Sequence, residues 1–288
     1  MRNQKNQMDL YKNCRLCPRN CGINRLRGEL GFCKATADVA IAAYMAHRFE
    51  EPPISGNKGS GTIFFSFCTA RCIYCQNFNF SRGKTKETVS ISELSDIMLE
   101  LQQKGCHNIN LVTPTHYMPS IVEAIKEAKT NDLKIPIVYN TSGYETLEAL
   151  DLLEGFIDIY LPDAKYSDHK LAKEHSGFID YAKYNIPAIK RMYEQVGDLE
   201  VGSDGVAKKG LIVRHLVLPG YLKNTEGVLN ALAKEVSNTI YISFMNQYSP
   251  IAGVKNHPNL SRRLTAEEYA RAKNILHQLG FNNGWMQE

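Results

Sequence analysis

Three closely spaced cysteines, Cys68, Cys72 and Cys75, are the side chains of this sequence best suited to chemistry. Their spacing, C-x3-C-x2-C, provides three thiolates, whereas a saturated [4Fe–4S] cluster or a structural zinc site takes four. One metal position would stay open, and a cluster iron without a cysteine can bind a substrate directly and pass it one electron. The competing interpretation is structural, because residues at i, i+4 and i+7 would align three small apolar side chains on one buried helical face.

A second group of cysteines lies nearer the N-terminus and consists of Cys14, Cys17, Cys21 and Cys33. Four thiolates can close a tetrahedral zinc site or bind an auxiliary cluster, which leaves no position for a substrate. The spacing differs from the ferredoxin pattern C-x2-C-x2-C-x3-C-P, and closed sites in metal-stapled segments are often zinc, so zinc is favoured. The alternative is a set of reduced thiols in a small core. Cys106 is isolated and is predicted to be a buried apolar side chain.

The composition of the chain favours metal ligands over disulfides for these cysteines. A chain of 288 residues, 43% of them hydrophobic, can build its core without disulfides, and the polar N-terminus shows no export signal. The net charge of +4 is too slight and too evenly spread to predict nucleic-acid binding, and no apolar run is long enough for a membrane span. We therefore expect a cytoplasmic protein with neither a nucleic-acid nor a membrane partner.

Strand and helix patterns alternate from residue 61 onward, which predicts consecutive βα units around a parallel sheet. Six runs rich in β-branched and aromatic residues are candidate strands: Thr62–Phe67, Ile109–Val112, Ile135–Tyr139, Phe156–Leu161, Leu211–Leu218 and Thr239–Phe244. Capping boxes at Ser90/Glu93 and Thr265/Glu268 begin two of the predicted helices, and another follows Pro119. Because six units are fewer than the eight of a closed barrel, the sequence predicts an α/β fold with a partial, open (β/α)6 TIM-like barrel.

The first 60 residues differ in character from this barrel. They hold the four-cysteine group, a short strand-like run and a turn-rich segment, and we interpret 1–60 as a metal-binding appendage and 61–288 as the barrel. In such barrels the active site lies at the C-terminal ends of the strands. The three-cysteine loop directly follows the first predicted strand, so it is expected at that face.

The run from Cys68 to Cys75 resembles the radical S-adenosylmethionine superfamily, in which a C-x3-C-x-φ-C loop with an aromatic residue at φ binds a [4Fe–4S] cluster. The resemblance implies that Cys68, Cys72 and Cys75 ligate the cluster and that Tyr74, at the φ position, lies against the adenine of S-adenosylmethionine. It also implies the reaction, in which the reduced cluster cleaves S-adenosylmethionine to methionine and a 5′-deoxyadenosyl radical. That radical abstracts hydrogen from a substrate.

Further segments resemble the glycyl-radical-enzyme activating branch of that superfamily. The run that begins Asn140-Thr141 is similar to its Asp-Thr-Asn-Gly, and Asp163-Ala-Lys165 is similar to its Asp-Leu-Lys. The run around Arg214 is similar to its fifth strand, whose arginine reaches the methionine carboxylate. The resemblance therefore implies that all five of these residues contact the cofactor, with Arg214 as the carboxylate clamp.

Two positions depart from that branch. Its Gly-Gly-Glu stretch, which holds the amino group of the cofactor, is replaced by a run that begins at Thr113, and Thr113 is included among the expected contacts. Asn140 stands in place of an aspartate, which removes a negative charge. On the residues alone, Asp163 and Lys165 could instead form a surface charge pair, Arg214 could face solvent, and Asn140 could simply form a turn.

Over its whole length the sequence is similar to a group of proteins related to pyruvate formate-lyase activating enzymes that carry an N-terminal four-cysteine segment. The shared runs occur at Cys14–Cys21, Glu51–Gly56 and Gly61–Ser66. The implied function is a radical enzyme that receives electrons from flavodoxin or ferredoxin and activates a glycyl-radical enzyme at a backbone glycine. Two alternatives stay open: radical modification of a small molecule or another peptide, and a non-enzymatic iron–sulfur or zinc protein that senses redox state. No catalytic side chain beyond these contacts is identified.

Overall fold

The computed structural model describes residues 7–286. Within this range ten strands form the sheet: β1 (Val39–His47), β2 (Ser60–Phe65), β3 (Glu87–Val89), β4 (Ile109–Val112), β5 (Ile137–Thr141), β6 (Ile159–Pro162), β7 (Glu200–Val201), β8 (Ala207–Leu216), β9 (Tyr241–Met245) and β10 (Gly284–Met286). Their spatial order is β10-β9-β8-β6-β5-β4-β2-β1-β3, and β7 pairs with β8 outside this path.

The pairing pattern confirms the predicted α/β fold with an open, mostly parallel sheet. All pairs from β2 through β4, β5, β6, β8 and β9 to β10 are parallel, whereas β1 is antiparallel to β2 and β3 is antiparallel to β1. The six predicted strands correspond to β2, β4, β5, β6, β8 and β9. Strand ends shift by up to four residues; β2, for example, ends at Phe65 because Phe67 has a φ of 72° and turns the chain away.

Helices lie between most of the strands along the chain. They are α1 (Pro52–Ser55), α2 (Phe78–Ser81), α3 (Ile91–Gln103), α4 (Met118–Thr130), α5 (Leu147–Asp151), α6 (His169–Ser176), α7 (Tyr181–Val196), α8 (Leu222–Glu235) and α9 (Ala266–Gln278). No helix in the described part of the chain combines the length and the apolar character that crossing a membrane requires.

The predicted helix starts agree with the observed ones where the sequence supplies a cap. Both capping boxes form: Ser90 Oγ accepts from the Glu93 N–H while Glu93 accepts from the Ser90 N–H, and Thr265 and Glu268 do the same at α9. Each such cap stabilises its helix by about 1 kcal/mol. The caps fix where α3 and α9 begin, and therefore how the preceding loops leave the sheet.

The main core lies between the sheet and the outer helices. Leu94 and Met98 of α3, Ile121 of α4, and Leu111 and Ile137 of the strands are all fully buried in it. Every residue of β5 and β6 is buried, as expected for central parallel strands that are covered on both faces. The central strands are therefore rigid supports for the residues at their C-terminal ends.

The N-terminal segment contributes to the same sheet. Its described residues before β1 form only 3₁₀ turns, at Gln7–Asn13 and Arg25–Arg27, and β1 then pairs with β2 from Ile41 to His47. The sheet therefore includes part of the region assigned from sequence to the appendage, and the division at residue 60 stays a prediction.

Candidate active site

The three predicted cluster ligands lie on the loop that leaves β2. Residues 68–77 form bends and turns without a helix, so the alternative of one buried helical face is wrong. Backbone hydrogen bonds of 2.8 Å run from the Arg71 N–H to Ser176 O and from the Ile73 N–H to His175 O. The C-terminal end of α6 therefore fixes the shape of the cysteine loop.

A cavity of about 230 Å³ opens at the C-terminal ends of the parallel strands. Its wall includes Cys68, Cys72 and Cys75 together with all seven residues expected to contact the cofactor: Tyr74, Thr113, Asn140, Thr141, Asp163, Lys165 and Arg214. They come together because parallel strands end at one edge of the sheet. The site expected from sequence lacked the aromatic part of the wall, to which Phe64, Phe80 and Tyr248 contribute.

Asp163 is the centre of a buried ion-pair network. Its Oδ1 accepts from Arg214 Nε at 3.0 Å, its Oδ2 lies 2.7 Å from Lys165 Nζ, and Arg214 also donates to Asn140 Oδ1 at 2.8 Å. The side chains of Asp163, Lys165 and Arg214 are 12, 17 and 20% exposed, so neither the surface charge pair nor the solvent-facing arginine is correct.

Mutual attraction fixes the charge states of this network. Burial would raise the pKa of Asp163, but the charges of Arg214 and Lys165 outweigh it and hold that pKa below its ordinary value. Burial would lower the pKa values of Lys165 and Arg214, but the attraction of Asp163, joined by Cys72 at Lys165 and by Glu51 and Glu50 at Arg214, raises both. Two cations and one anion of this network therefore line the cavity, and both cations can donate to an anionic ligand.

The segment that replaces Gly-Gly-Glu is divided between two places. Thr113 lines the cavity in a left-handed conformation, with φ of 62°, that a β-branched residue rarely adopts. Its N–H donates to Asn140 O at 2.9 Å. Thr115 instead donates to Glu145 Oε1 at 2.8 Å, and His116 lines a second cavity. Only Thr113 of this segment joins the expected cofactor contacts.

Glu145 is a candidate that sequence reasoning missed. It is 1% exposed and accepts hydrogen bonds from the hydroxyls of Thr115 and Thr141, and Thr141 lines the cavity. Burial raises the pKa of Glu145 to about 7, although the hydrogen bonds from the two threonines act in the opposite direction. The carboxyl therefore orients the hydroxyl of Thr141, which lines the site, and that of Thr115, which does not. No local pattern marks a glutamate four residues beyond a strand end, and only its burial distinguishes it.

Glu145→Gln should remove a pH dependence of the stability. Between about pH 4.5 and 7 the folded protein keeps a proton on Glu145 that the unfolded chain has released, so the free energy of unfolding falls as pH rises through this window. By about pH 8 the free energy of unfolding of the wild type should have fallen by about 3 kcal/mol relative to that of the variant. Chemical denaturation of both proteins between about pH 4 and 8 measures the difference.

The exposed residue Glu148 provides the control for this prediction. The free energy of unfolding of Glu148→Gln should change with pH in the same way as that of the wild type. Burial also raises the pKa of Glu50 to about 7, but Glu50 titrates in all three proteins and cancels in the comparison. Parallel curves for the wild type and Glu145→Gln would contradict the assignment.

A chain of buried hydroxyls connects Tyr74 to the sulfur of Cys72. The oxygens of Tyr74 and Tyr166 are 2.6 Å apart, those of Tyr166 and Ser176 are 2.7 Å apart, and Ser176 Oγ donates to Cys72 Sγ at 3.0 Å. Each hydroxyl has one hydrogen to donate, so donation to sulfur leaves Ser176 to accept from Tyr166, and Tyr166 to accept from Tyr74. The three hydroxyls therefore point their dipoles toward the thiolate, where hydrogen bonds set the potential of a bound cluster.

Ser176→Ala should make the reduction potential of a cluster bound at Cys72 more negative. The lost hydrogen bond no longer stabilises the extra electron, and the expected shift is on the order of 50 mV. A redox titration followed by electron paramagnetic resonance measures the potential. Ser176→Thr keeps the hydroxyl and should restore the wild-type value, whereas equal potentials in all three proteins would exclude a role for this bond.

The four N-terminal cysteines, Cys14, Cys17, Cys21 and Cys33, line the second cavity, of about 20 Å³. Within residues 7–286, no three His, Cys, Asp or Glu side chains stand in the arrangement of a bound metal ion, so the thiols of either group would have to turn inward to bind one. Cys106 lies outside both groups and is buried in the main core, as predicted.

The donor sets nevertheless fit the groups expected from sequence. Three thiols face an open cavity at the strand ends, and four thiols face a small closed one. Burial raises the pKa of Cys68 to about 12, so a bound cation is what would keep its thiolate ionised near neutral pH.

Comparison with known proteins places the chain among enzymes of this fold. Residues 62–202 match the model of the Radical SAM superfamily. The chain is also 30% identical over 274 residues to the uncharacterized protein MJ0674 of Methanocaldococcus jannaschii, an alignment that covers 92% of this chain and 74% of that protein.

Two solved structures share the fold. Streptococcus suis SuiB bound to S-adenosylmethionine superimposes with a TM-score of 0.52 at 13% identity, over 77% of this chain and 48% of SuiB. The FeFe-hydrogenase maturase HydG from Carboxydothermus hydrogenoformans superimposes with a TM-score of 0.51 at 14% identity, over 77% of this chain and 52% of HydG. The chain thus spans about half the length of these two proteins. From its matched residues, its relative and its fold, the chain belongs to the radical S-adenosylmethionine superfamily.

Proposed function

We propose that Cys68, Cys72 and Cys75 hold a [4Fe–4S] cluster, and that the adjoining cavity binds S-adenosylmethionine through Tyr74, Thr113, Asn140, Thr141, Asp163, Lys165 and Arg214. The observation that carries the proposal is that one cavity wall contains all ten of these residues. When bound, the cluster supplies the electron that cleaves S-adenosylmethionine and so starts hydrogen abstraction from a substrate. The polypeptide supplies binding, orientation and the exclusion of water.

Binding of the methionine carboxylate falls to the two cations of the network. Asp163 and Asn140 occupy Nε and one terminal nitrogen of Arg214, and the other terminal nitrogen lies 4.0 Å from Glu50 Oε2. Lys165 Nζ carries three N–H donors, one of which suffices for Asp163. A carboxylate that lies between Lys165 and Arg214 would gain charge-assisted hydrogen bonds from both.

The aromatic side chains of the cavity wall would exclude water from the site. Tyr74 and Tyr248 meet edge to face with ring centroids 5.9 Å apart, and Phe64 and Phe80 meet at 5.6 Å. These rings line the same cavity as the charged network. A reactive radical formed in the cavity would meet these apolar side chains as well as the charged ones.

For the substrate we propose a polypeptide, namely a backbone glycine of a glycyl-radical enzyme. The cavity, at about 230 Å³, is smaller than the roughly 300–1,000 Å³ of sites that enclose a drug-sized ligand, so the cofactor leaves little room inside it. Phe49 is 90% exposed and precedes Glu50, which lies 4.0 Å from Arg214 of the cavity wall. An exposed aromatic this close in sequence to the site suits a macromolecular partner. A small-molecule substrate is the competing possibility.

The experiment that tests the cofactor proposal uses the full chain, purified and reconstituted with iron and sulfide without oxygen. Reduced by dithionite, or by flavodoxin or ferredoxin, and given S-adenosylmethionine, the protein should release 5′-deoxyadenosine, measured by liquid chromatography. A fully loaded cluster that leaves S-adenosylmethionine intact would favour the non-enzymatic, redox-sensing alternative.

The substrate proposal has a separate test. After anaerobic mixing of the reduced protein with a glycyl-radical enzyme and S-adenosylmethionine, a glycyl radical signal should appear in the electron paramagnetic resonance spectrum. Cleavage of the cofactor without any signal from such partners would favour a small molecule or another peptide as the substrate.

A further inference from the structure

We propose that Cys14, Cys17, Cys21 and Cys33 bind a metal centre whose role is to hold the Cys68–Cys75 loop in the shape that receives the catalytic cluster. The centre is zinc or an auxiliary iron–sulfur cluster, since both take four thiolates. The proposal rests on the proposed function only in one respect, namely that the loop binds the catalytic cluster. Metal binding by the four thiols and the mechanical link to the loop are independent of it.

The four-cysteine segment has little else to give it shape. Between Cys14 and Asp38 the described chain contains a single regular element, the 3₁₀ turn Arg25–Arg27. The backbone is left-handed at Asn20 and Lys34, and the buried apolar cluster of the segment has three members. All four cysteines are free thiols. Small irregular segments of this kind are commonly organised by a bound metal.

Arg25 places a buried positive charge next to these thiols. It is 1% exposed and donates to the backbone oxygens of Ala35, Thr36 and His116. Within residues 7–286 no acidic side chain forms an ion pair with it, and its NH1 lies 4.0 Å from Cys14 Sγ. A buried charge requires a counter-charge, and a four-thiolate centre with a net negative charge provides one.

Two buried polar atoms in the cavity wall have no hydrogen-bond partner. They are Nδ1 of His116 and Oγ1 of Thr69, in residues that are 2% and 1% exposed. His116 Nε2 lies 2.8 Å from Ser66 O and therefore carries the ring hydrogen, which leaves Nδ1 with its lone pair. The thiolate sulfurs of a metal centre can accept the hydroxyl hydrogen of Thr69, whereas four thiolates leave the metal no position for the lone pair of His116.

Arg19 connects this segment to the cluster loop. It lies between Cys17 and Cys21, and its Nε and NH2 donate to Thr69 O at 3.1 and 3.0 Å. Its NH1 donates to Gly177 O at 2.5 Å, just beyond the end of α6 that shapes the same loop. One guanidinium thus holds both the carbonyl between Cys68 and Cys72 and the turn beside it.

A second link runs in the opposite direction. Arg71, on the cluster loop, donates through NH2 to Phe32 O at 2.6 Å, and Phe32 precedes Cys33. The guanidinium of Arg19 also lies 3.6 Å from the centre of the Phe32 ring. Each of these contacts involves Arg19 or Phe32, which lie within two positions of a proposed ligand, so fixing the four thiols restrains the loop.

The test compares metal content and amide hydrogen exchange in the anaerobically purified full chain. Cys17→Ser/Cys21→Ser should lose one metal centre, either one zinc or about four of roughly eight iron atoms per chain. Exchange over residues 68–77 should become about tenfold faster or more, because the contacts of Arg19 are no longer held. Neither measurement requires cleavage of S-adenosylmethionine, so this proposal can fail while the proposed function stands, and the reverse.

Arg19→Gln separates the link from the metal. It should keep the metal of the N-terminal site and still accelerate exchange over 68–77, and exposed Arg15→Gln should change neither. Metal content in the double cysteine variant equal to that of the wild type would overturn the metal site. Loss of metal with unchanged exchange at 68–77, in protein whose circular dichroism stays native, would overturn the link.

Discussion

Cys72→Ala should reduce the release of 5′-deoxyadenosine to the level of a protein-free mixture. Two thiolates do not retain a cluster that is built for three protein ligands, and Cys72 also receives the hydrogen bond from Ser176. Iron and sulfide attributable to the loop should disappear together with the cleavage. Anaerobic reconstitution, iron and sulfide analysis and liquid chromatography of the product measure both quantities in one preparation.

Cys106→Ala is the matched control for this prediction, because Cys106 is a buried cysteine outside both groups. It should keep the full iron content and the cleavage rate. A Cys72→Ala protein that still cleaves S-adenosylmethionine after reconstitution would show that the three-cysteine loop does not hold the catalytic cluster.

Asp163→Ala should lower the free energy of unfolding by about 3–5 kcal/mol, the usual cost of removing one partner from a buried ion pair. The variant leaves Lys165 and Arg214 side by side, 17 and 20% exposed, without the carboxylate that holds them. Because the pKa of Asp163 is lowered in the folded state, its contribution is complete above the ordinary pKa of an aspartate. That contribution is lost as pH falls through the lower, folded value.

Chemical denaturation at neutral pH, on proteins with equal metal content, measures this difference. The control is Asp151→Ala, since Asp151 is 53% exposed and pairs with Arg191 at 2.8 Å on the surface. That variant should lower the free energy of unfolding by less than about 1 kcal/mol. If both variants lost the same free energy of unfolding, solvent would screen the charges around Asp163 as strongly as those of a surface ion pair.

The sequence was sufficient to predict the residues at the strand ends. Asn140, Asp163 and Arg214 are far apart along the chain, but each lies within two residues of the C-terminal end of a parallel strand, and parallel strands present these ends at one edge. Resemblance then indicated which of these residues contact a cofactor. The six-unit open sheet could be predicted for the same reason, since strand and helix periods are local properties of the sequence.

Features that depend on pairs of distant residues could not be predicted in this way. The hydroxyl chain requires Tyr74, Tyr166 and Ser176 to meet, and nothing local to any of them marks the others. Arg19 lies between two cysteines in the sequence, but its hydrogen bonds to Thr69 O depend on how the irregular N-terminal segment folds back. The edge strand β10 could not be predicted either, because its three residues are too few to show the alternation typical of a strand.

The dependence of the cysteine loop on α6 sets the order of events during synthesis. The cysteine loop follows β2. Each paired residue of β2 lies only 13 to 24 positions after its partner in β1, so these two strands can pair early in folding. The backbone oxygens of His175 and Ser176 that close the loop emerge about 100 residues after Cys75, which at roughly 5–20 residues per second is about 5–20 seconds later. During synthesis the three thiols are therefore made before the residues that close the loop around them.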